Sequence, residues 1–231
     1  MKNLVMITSI LNPPRKPLTG FVENAACGIV YSRIRSVFTR EQRFNQTKKT
    51  IQTIKEKIPE SKIIIVECTN FNKEEAEYFK NNCDFVLNLW NKTEYSEDIF
   101  SLSKSLGEGI QTIQAIEYIK KQKFDNFFKI SGRYWLNDDF NFSNFDNDKL
   151  VFKKIDDNVE NILTCLFKIP YSYVPSLQQF LTDNIPLMKR ALGHEILFGR
   201  FLKNLNYENT KFLDNIGIQG KIAINGVILK D

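Results

Sequence analysis

The sequence predicts an α/β fold with a mostly parallel central sheet and flanking helices, and three observations carry that prediction. Short apolar runs rich in β-branched residues recur, as in "LVMITSIL" (4–11) and "KIIIVECT" (62–69), the pattern of strands buried on both faces. Between such runs, apolar residues return at steps of three and four, the pattern of helices with one core-facing stripe. The chain has 231 residues, 42% of them hydrophobic, which is ordinary for one α/β domain spanning 1–231 and enough to bury a continuous core.

Each element follows in order. After the strand at 4–11, Phe44, Thr47, Ile51, Ile54 and Ile58 form one stripe of a helix that stops at Pro59, and the strand at 62–69 completes a βαβ crossover. Asn72 followed by Glu75 makes a capping-box start for a helix through Asn81, leading to the strand "DFVLNL" (84–89). Ser105 and Glu108 form an S-x-x-E box opening a helix with Leu106, Ile110, Ile113, Ile116 and Ile119 on one face, ahead of a strand beginning at Phe127. Beyond Phe140 the texture changes. "NFSNFDNDKLVFKK" and "ENILTCLFKIP" read as strands of the sheet's far half without intervening helices. Pro175 opens a helix bearing Leu177, Phe180 and Leu181, a second helix carries Leu197, Phe198, Phe201, Leu202 and Leu205, and "GIQGKIAINGVILKD" reads as a hairpin or edge strand.

Composition excludes several classes of function. No apolar run approaches the roughly 20 residues needed to cross a bilayer. Pro13 and Pro14 stand where a signal peptide would need small residues, so the start reads as a strand of a cytoplasmic protein. Cys27, Cys68, Cys83 and Cys165 are scattered and His194 is the only histidine, which suggests reduced thiols and neither a zinc site nor a Cys/His nucleophile. No G-x-G-x-x-G or Walker sequence follows the first strand. The net charge of +5 favours an anionic ligand.

In an open α/β sheet, ligands collect at the carboxyl ends of the parallel strands. Here those ends carry Thr8 and Ser9, Glu67, and Ser131 and Arg133, with Lys104 at the helix opening "SKSLGE", where free backbone N–H groups suit a phosphate. An ordinary capped helix with a solvated lysine explains Lys104 as well. Arg33, Arg35, Arg40 and Arg43 form a basic stretch that reads either as an anion-binding loop or as a solvated charge run. With Tyr31, Phe38 and Phe44 it could also stack bases, but core packing is the simpler account of those aromatics, and no nucleic-acid partner is expected.

Taken together, "ITSI…TREQRFNQTKKTIQTIKEKIPESKIIIVEC", "SLSKSLGEGIQTIQAIEYIKKQKFDNFFKISGRYWLNDDF" and "GHEILFGRFL" resemble, in order, the parts of family-2-like glycosyltransferases of the Rossmann-like GT-A fold. The resemblance implies transfer of a sugar from a nucleotide diphosphate donor to a hydroxyl of a surface glycan or glycolipid precursor, with peripheral membrane contact allowed. It also implies a nucleobase contact for Glu67, donor contacts for Thr8, Ser9, Arg40, Lys104 and Ser131, and a catalytic base in Glu195 with His194 beside it. Where that family carries D-x-D to hold a metal, this chain has Ser131, Gly132 and Arg133. One reading has the Arg133 guanidinium neutralise the diphosphate directly, another has it anchor a loop carboxylate such as Asp138, and a third keeps manganese or magnesium on Asp138 or Asp139. Loss of D-x-D also admits a catalytically inactive glycan- or nucleotide-binding protein of the same fold.

Overall fold

The structure is a computed structural model that describes residues 2–14, 17–18, 35–156 and 160–231. Cys27, Tyr31 and Arg33 lie outside the described residues.

Apart from α3, the first half alternates as the sequence predicts: β1 (Asn3–Thr8), α1 (Arg40–Lys57), β2 (Ser61–Glu67), α2 (Lys73–Asn82), β3 (Phe85–Asn88), then α3 (Thr93–Ile99), α4 (Lys104–Ile119) and β4 (Asn126–Ser131). The second half runs β5 (Tyr134–Leu136), β6 (Leu150–Lys154), β7 (Ile162–Pro170), α5 (Val174–Asp183), α6 (Ile185–Lys189), α7 (His194–Asn204), β8 (Thr210–Phe212), β9 (Ile218–Lys221) and β10 (Ile228–Lys230). Seven strands form one sheet in the order β3-β2-β1-β4-β7-β6-β8, and β10, β9 and β5 form a smaller antiparallel one. β1 lies parallel to both β2 and β4, while β7 is antiparallel to β4 and opens the far half.

The sheet is covered on both faces. Leu4 and Met6 of β1 enter a core built with Ile110 and Ile113 of α4, whereas Val5 and Ile7 enter the opposite core with Ile51 and Ile54 of α1. Alternate residues of a strand point to opposite faces, so a strand between two helical layers must be apolar throughout, and β1 is buried along its whole length.

Two details differ from the sequence reading. The α4 N-cap is Ser103, whose hydroxyl accepts from the Leu106 N–H, so the S-x-x-E pair at Ser105 and Glu108 is no capping box. Ser105 instead donates to the Leu192 carbonyl at 2.6 Å, and Glu108 turns away from the helix start. In addition α3, α6, β5 and β8 were not expected.

Because the chain leaves β1 toward β2 and β3 and then returns to β4 on the other side, the connections diverge above β1 and β4. That divergence opens a crevice at the carboxyl ends of the two strands.

Candidate functional site

The floor of the crevice is set by Gly132, whose N–H donates to the Thr8 carbonyl at 2.9 Å and whose carbonyl accepts from Thr47 Oγ1 at 3.0 Å. A Cβ at this position would come within 3.1 Å of Ser9 Cβ and 3.3 Å of Ile7 Cγ2, so β1, β4 and α1 meet closely here and a side chain would make its neighbours give by a few tenths of an ångström. α4 is tied to the same floor by Gln111, whose side chain donates to the Ser9 carbonyl at 2.9 Å. These contacts frame an open crevice whose walls include Thr8 and Ser9, Ser131 and Arg133, and Lys104 and Glu108.

Positive charge dominates those walls, where Arg35, Arg43, Lys104 and Arg133 converge. The arginines are held by neutral groups: Arg35 donates to the carbonyls of Ile99, at 3.0 Å, and Ser101, Arg43 to the Ile10 carbonyl and, at 3.1 Å, to Ser36 Oγ, and Arg133 to the Lys221 carbonyl at 3.0 Å. Carbonyls orient a guanidinium without cancelling its charge. Burial, followed by the neighbouring Arg133, Arg35 and Arg43, pushes Lys104 down to about 8. Burial and then Arg133 likewise push Arg43 down to about 9. Cations gathered this closely, with Lys104 and Arg43 made costlier to ionise by their neighbours, form a site ready for a multivalent anion.

The carboxylate on the same wall is already neutralised. Glu108 pairs with the buried Lys129 Nζ and accepts from Thr8 Oγ1 at 3.2 Å and Ser131 Oγ at 3.4 Å. Burial alone would raise its carboxyl, but Lys129 holds it down to about 2. Behind it, His194 Nδ1 lies 3.6 Å from Glu108 Oε2. Burial pushes His194 down to about 4, so the ring is neutral near pH 7 and Lys129 supplies the attraction. His194 Nε2 is buried without a partner among the described residues. Glu195 sits in the first turn of α7 beneath this network, with Thr164 Oγ1 donating to it at 3.5 Å, and burial raises its carboxyl above the usual range.

Of the residues named from sequence, Thr8, Ser9, Lys104, Ser131 and Arg133 meet on the crevice wall, and His194 stands behind Glu108. Arg40 does not join them: its Nε donates to Glu75 Oε1 at 2.6 Å, tying α1 to α2. Glu67 is fully buried under the loop after β1, where Oε1 accepts from Leu11 N, Cys68 N and Thr69 Oγ1, so its surroundings are loop backbone rather than open crevice. Phe44 packs on Phe79 in the core and offers no stacking face. Arg133 bonds a backbone carbonyl, not the Asp138 carboxylate.

Asp138 pairs instead with Lys57, at the end of α1 remote from Arg43 and about 21 Å away along the helix axis. Asp138 and Asp139 therefore do not reach the crevice. Among the described residues no group of three or more His, Cys, Asp or Glu could hold a metal ion, and the one crevice carboxylate is bound to Lys129. This donor set does not suit a divalent cation.

Glu108, read from sequence only as a helix-start residue, and its partner Lys129 are site residues whose role sequence reasoning missed. One signal could have found the former, since Lys104 and Glu108 are four residues apart and share a helix face.

No family model matches the chain, and no curated protein does. Among solved structures it is similar to the crystal structure of a Desulfovibrio desulfuricans G20 protein assigned as a nucleotide-diphospho-sugar transferase, with 9% identity and a TM-score of 0.48 over 92% of this chain and 80% of that one. Among the described residues, no helix is long and apolar enough to cross a membrane.

Proposed function

We propose that the crevice binds the diphosphate of a nucleotide-sugar and that the protein is a glycosyltransferase. The observation that carries the reading is the convergence of Arg35, Arg43, Lys104 and Arg133 on one crevice whose single carboxylate among the described residues is already paired. In such a reaction the bond from the anomeric carbon to the diphosphate oxygen breaks, an acceptor hydroxyl oxygen bonds to that carbon, and the hydroxyl proton passes to a base. Negative charge grows on the departing diphosphate, and fixed cations in a partly desolvated site stabilise it without reorganising. Arg133, at the metal-ligand position of the family that the sequence resembles, supplies a planar fork suited to two phosphate oxygens. Glu195 is the proposed base, its proton affinity raised by burial. The resemblance further supports a surface glycan or glycolipid precursor as acceptor and a cytoplasmic setting.

The test is calorimetric titration with uridine and guanosine diphosphate, followed by assays of transfer and slow hydrolysis with UDP- and GDP-sugars, each with and without a chelator. Binding and turnover that persist in chelator are expected. Absence of binding by every nucleotide would end the reading, and activity lost to chelator and restored by manganese would overturn the role of the cations. Glu195→Gln is expected to lower turnover by about 10²–10⁴-fold with donor affinity retained. A rate within a few-fold of wild type would leave Glu195 as a helix-start carboxylate only.

A further inference from the structure

The oxygens of Glu108 are used unequally. Oε1 takes the Lys129 ammonium and the hydroxyls of Thr8 and Ser131, whereas Oε2 faces His194 Nδ1 at 3.6 Å, beyond hydrogen-bonding distance. The side chain lines the crevice and keeps 28% of its surface exposed. A carboxylate in this position accepts hydrogen bonds and donates none.

Three occupants of Oε2 conflict with its surroundings. Among the described residues a divalent cation would find one carboxylate, already paired with Lys129, in a crevice lined by four further cations. A phosphate oxygen would meet like charge. A proton in transit would find little affinity near pH 7 in a group held down to about 2. A neutral hydroxyl suits both the acceptor and the Lys129 charge that balances it. In a nucleotide-sugar the hydroxyl-bearing ring is joined directly to the outer phosphate, so cations gripping the diphosphate leave the ring against a neighbouring wall.

We propose that Glu108 recognises a hydroxyl of the transferred sugar, making it a specificity-determining residue of the donor site; this rests on the nucleotide-sugar reading above. Lys129, with Thr8 and Ser131, positions the carboxylate.

The experiment compares wild type, Glu108→Gln and Glu108→Asp in calorimetric titrations with uridine and guanosine diphosphate and with UDP-glucose, UDP-galactose, UDP-N-acetylglucosamine and GDP-mannose. Glu108→Asp keeps the charge opposite Lys129 while withdrawing the carboxylate by one methylene, so it provides the comparison if Glu108→Gln does not fold. Wild type is expected to bind one nucleotide-sugar more tightly than its parent diphosphate. The variants should hold the diphosphate within about threefold but lose about tenfold or more toward the nucleotide-sugar. A variant that weakens both ligands equally, or neither, overturns the inference and leaves the nucleotide-sugar reading standing, as does a wild type that binds diphosphate but gains nothing from the sugar. A wild type that binds no nucleotide at all overturns both.

Discussion

Lys104 and Arg133 are the residues through which solution conditions and mutation act most directly on the crevice. With Lys104 pushed down to about 8, the empty site loses this cation as pH rises past that value. An anion draws the proton back, so binding measured between pH 8 and 9 should take up protons, and affinity for a nucleoside diphosphate should fall from pH 7 to 9.5. Lys104→Ala should flatten that dependence, and calorimetry in buffers of different ionisation enthalpy reads it. Stability should move the other way. The folded pKa lies below the unfolded value, so between about 8 and 10.5 the unfolded chain holds more protons at this residue and its contribution rises with pH. Arg133→Ala should weaken diphosphate binding by about tenfold or more, the worth of a charge-assisted hydrogen bond, and Arg133→Lys should recover only part because a point charge lacks the fork. Equal affinities for the three proteins would remove Arg133 from the site.

At the scale of elements, helix starts place the cations. α1 begins with a capping box in which Thr39 and Gln42 exchange side-chain and backbone hydrogen bonds, and this box orients the turn that holds Arg40 and Arg43. Thr39→Ala should cost about 1 kcal/mol in chemical denaturation. α4 is seated by Gly107, where a Cβ would lie 2.6 Å from the Ile99 carbonyl oxygen of α3. Gly107→Ala should push α4 off α3 and displace Lys104 and Glu108 with it, lowering stability by about 1–3 kcal/mol and weakening diphosphate binding together. Unchanged melting and binding would show that α3 yields instead. β5 makes the corresponding contribution on the other side: it pairs with β9 directly after Arg133, and the Arg133–Lys221 bond spans that pairing.

For the whole molecule, the buried network under the crevice links folding to acid. His194 is pushed below its ordinary value, to about 4, so between 6.5 and 4 the unfolded chain binds more protons there and stability falls as pH falls. Glu108, held down to about 2, adds stability that is complete above 4.5 and is lost as pH drops toward 2. Glu67 and Glu195, both raised by burial, act in the opposite sense, so the difference between proteins is the informative quantity. Denaturation of wild type and His194→Gln from pH 7 to 4 should show wild type losing more stability across that window. Parallel curves would mean that His194 is not held neutral by the fold.

The sequence by itself determined most of the alternating half of the molecule, because strands β1 to β4 and helices α1, α2 and α4 are written in local periodicity that each segment carries alone. It also determined which strand ends carry Thr8, Ser131 and Arg133. Short elements were not readable: β5 and β8, at three residues each, exist through pairing with β9 and β6. Two side-chain choices were decided only by tertiary structure. Arg40 and Arg43 stand three residues apart in one basic run, yet Glu75 of α2 captures the first while the second faces the crevice. Glu108 fits a local capping pattern, but β4 buries Lys129 beside it, and an ammonium out of water requires a counter-charge more strongly than a helix start requires a second cap. Periodicity is encoded between near neighbours, whereas which charges meet depends on elements brought together from distant parts of the chain.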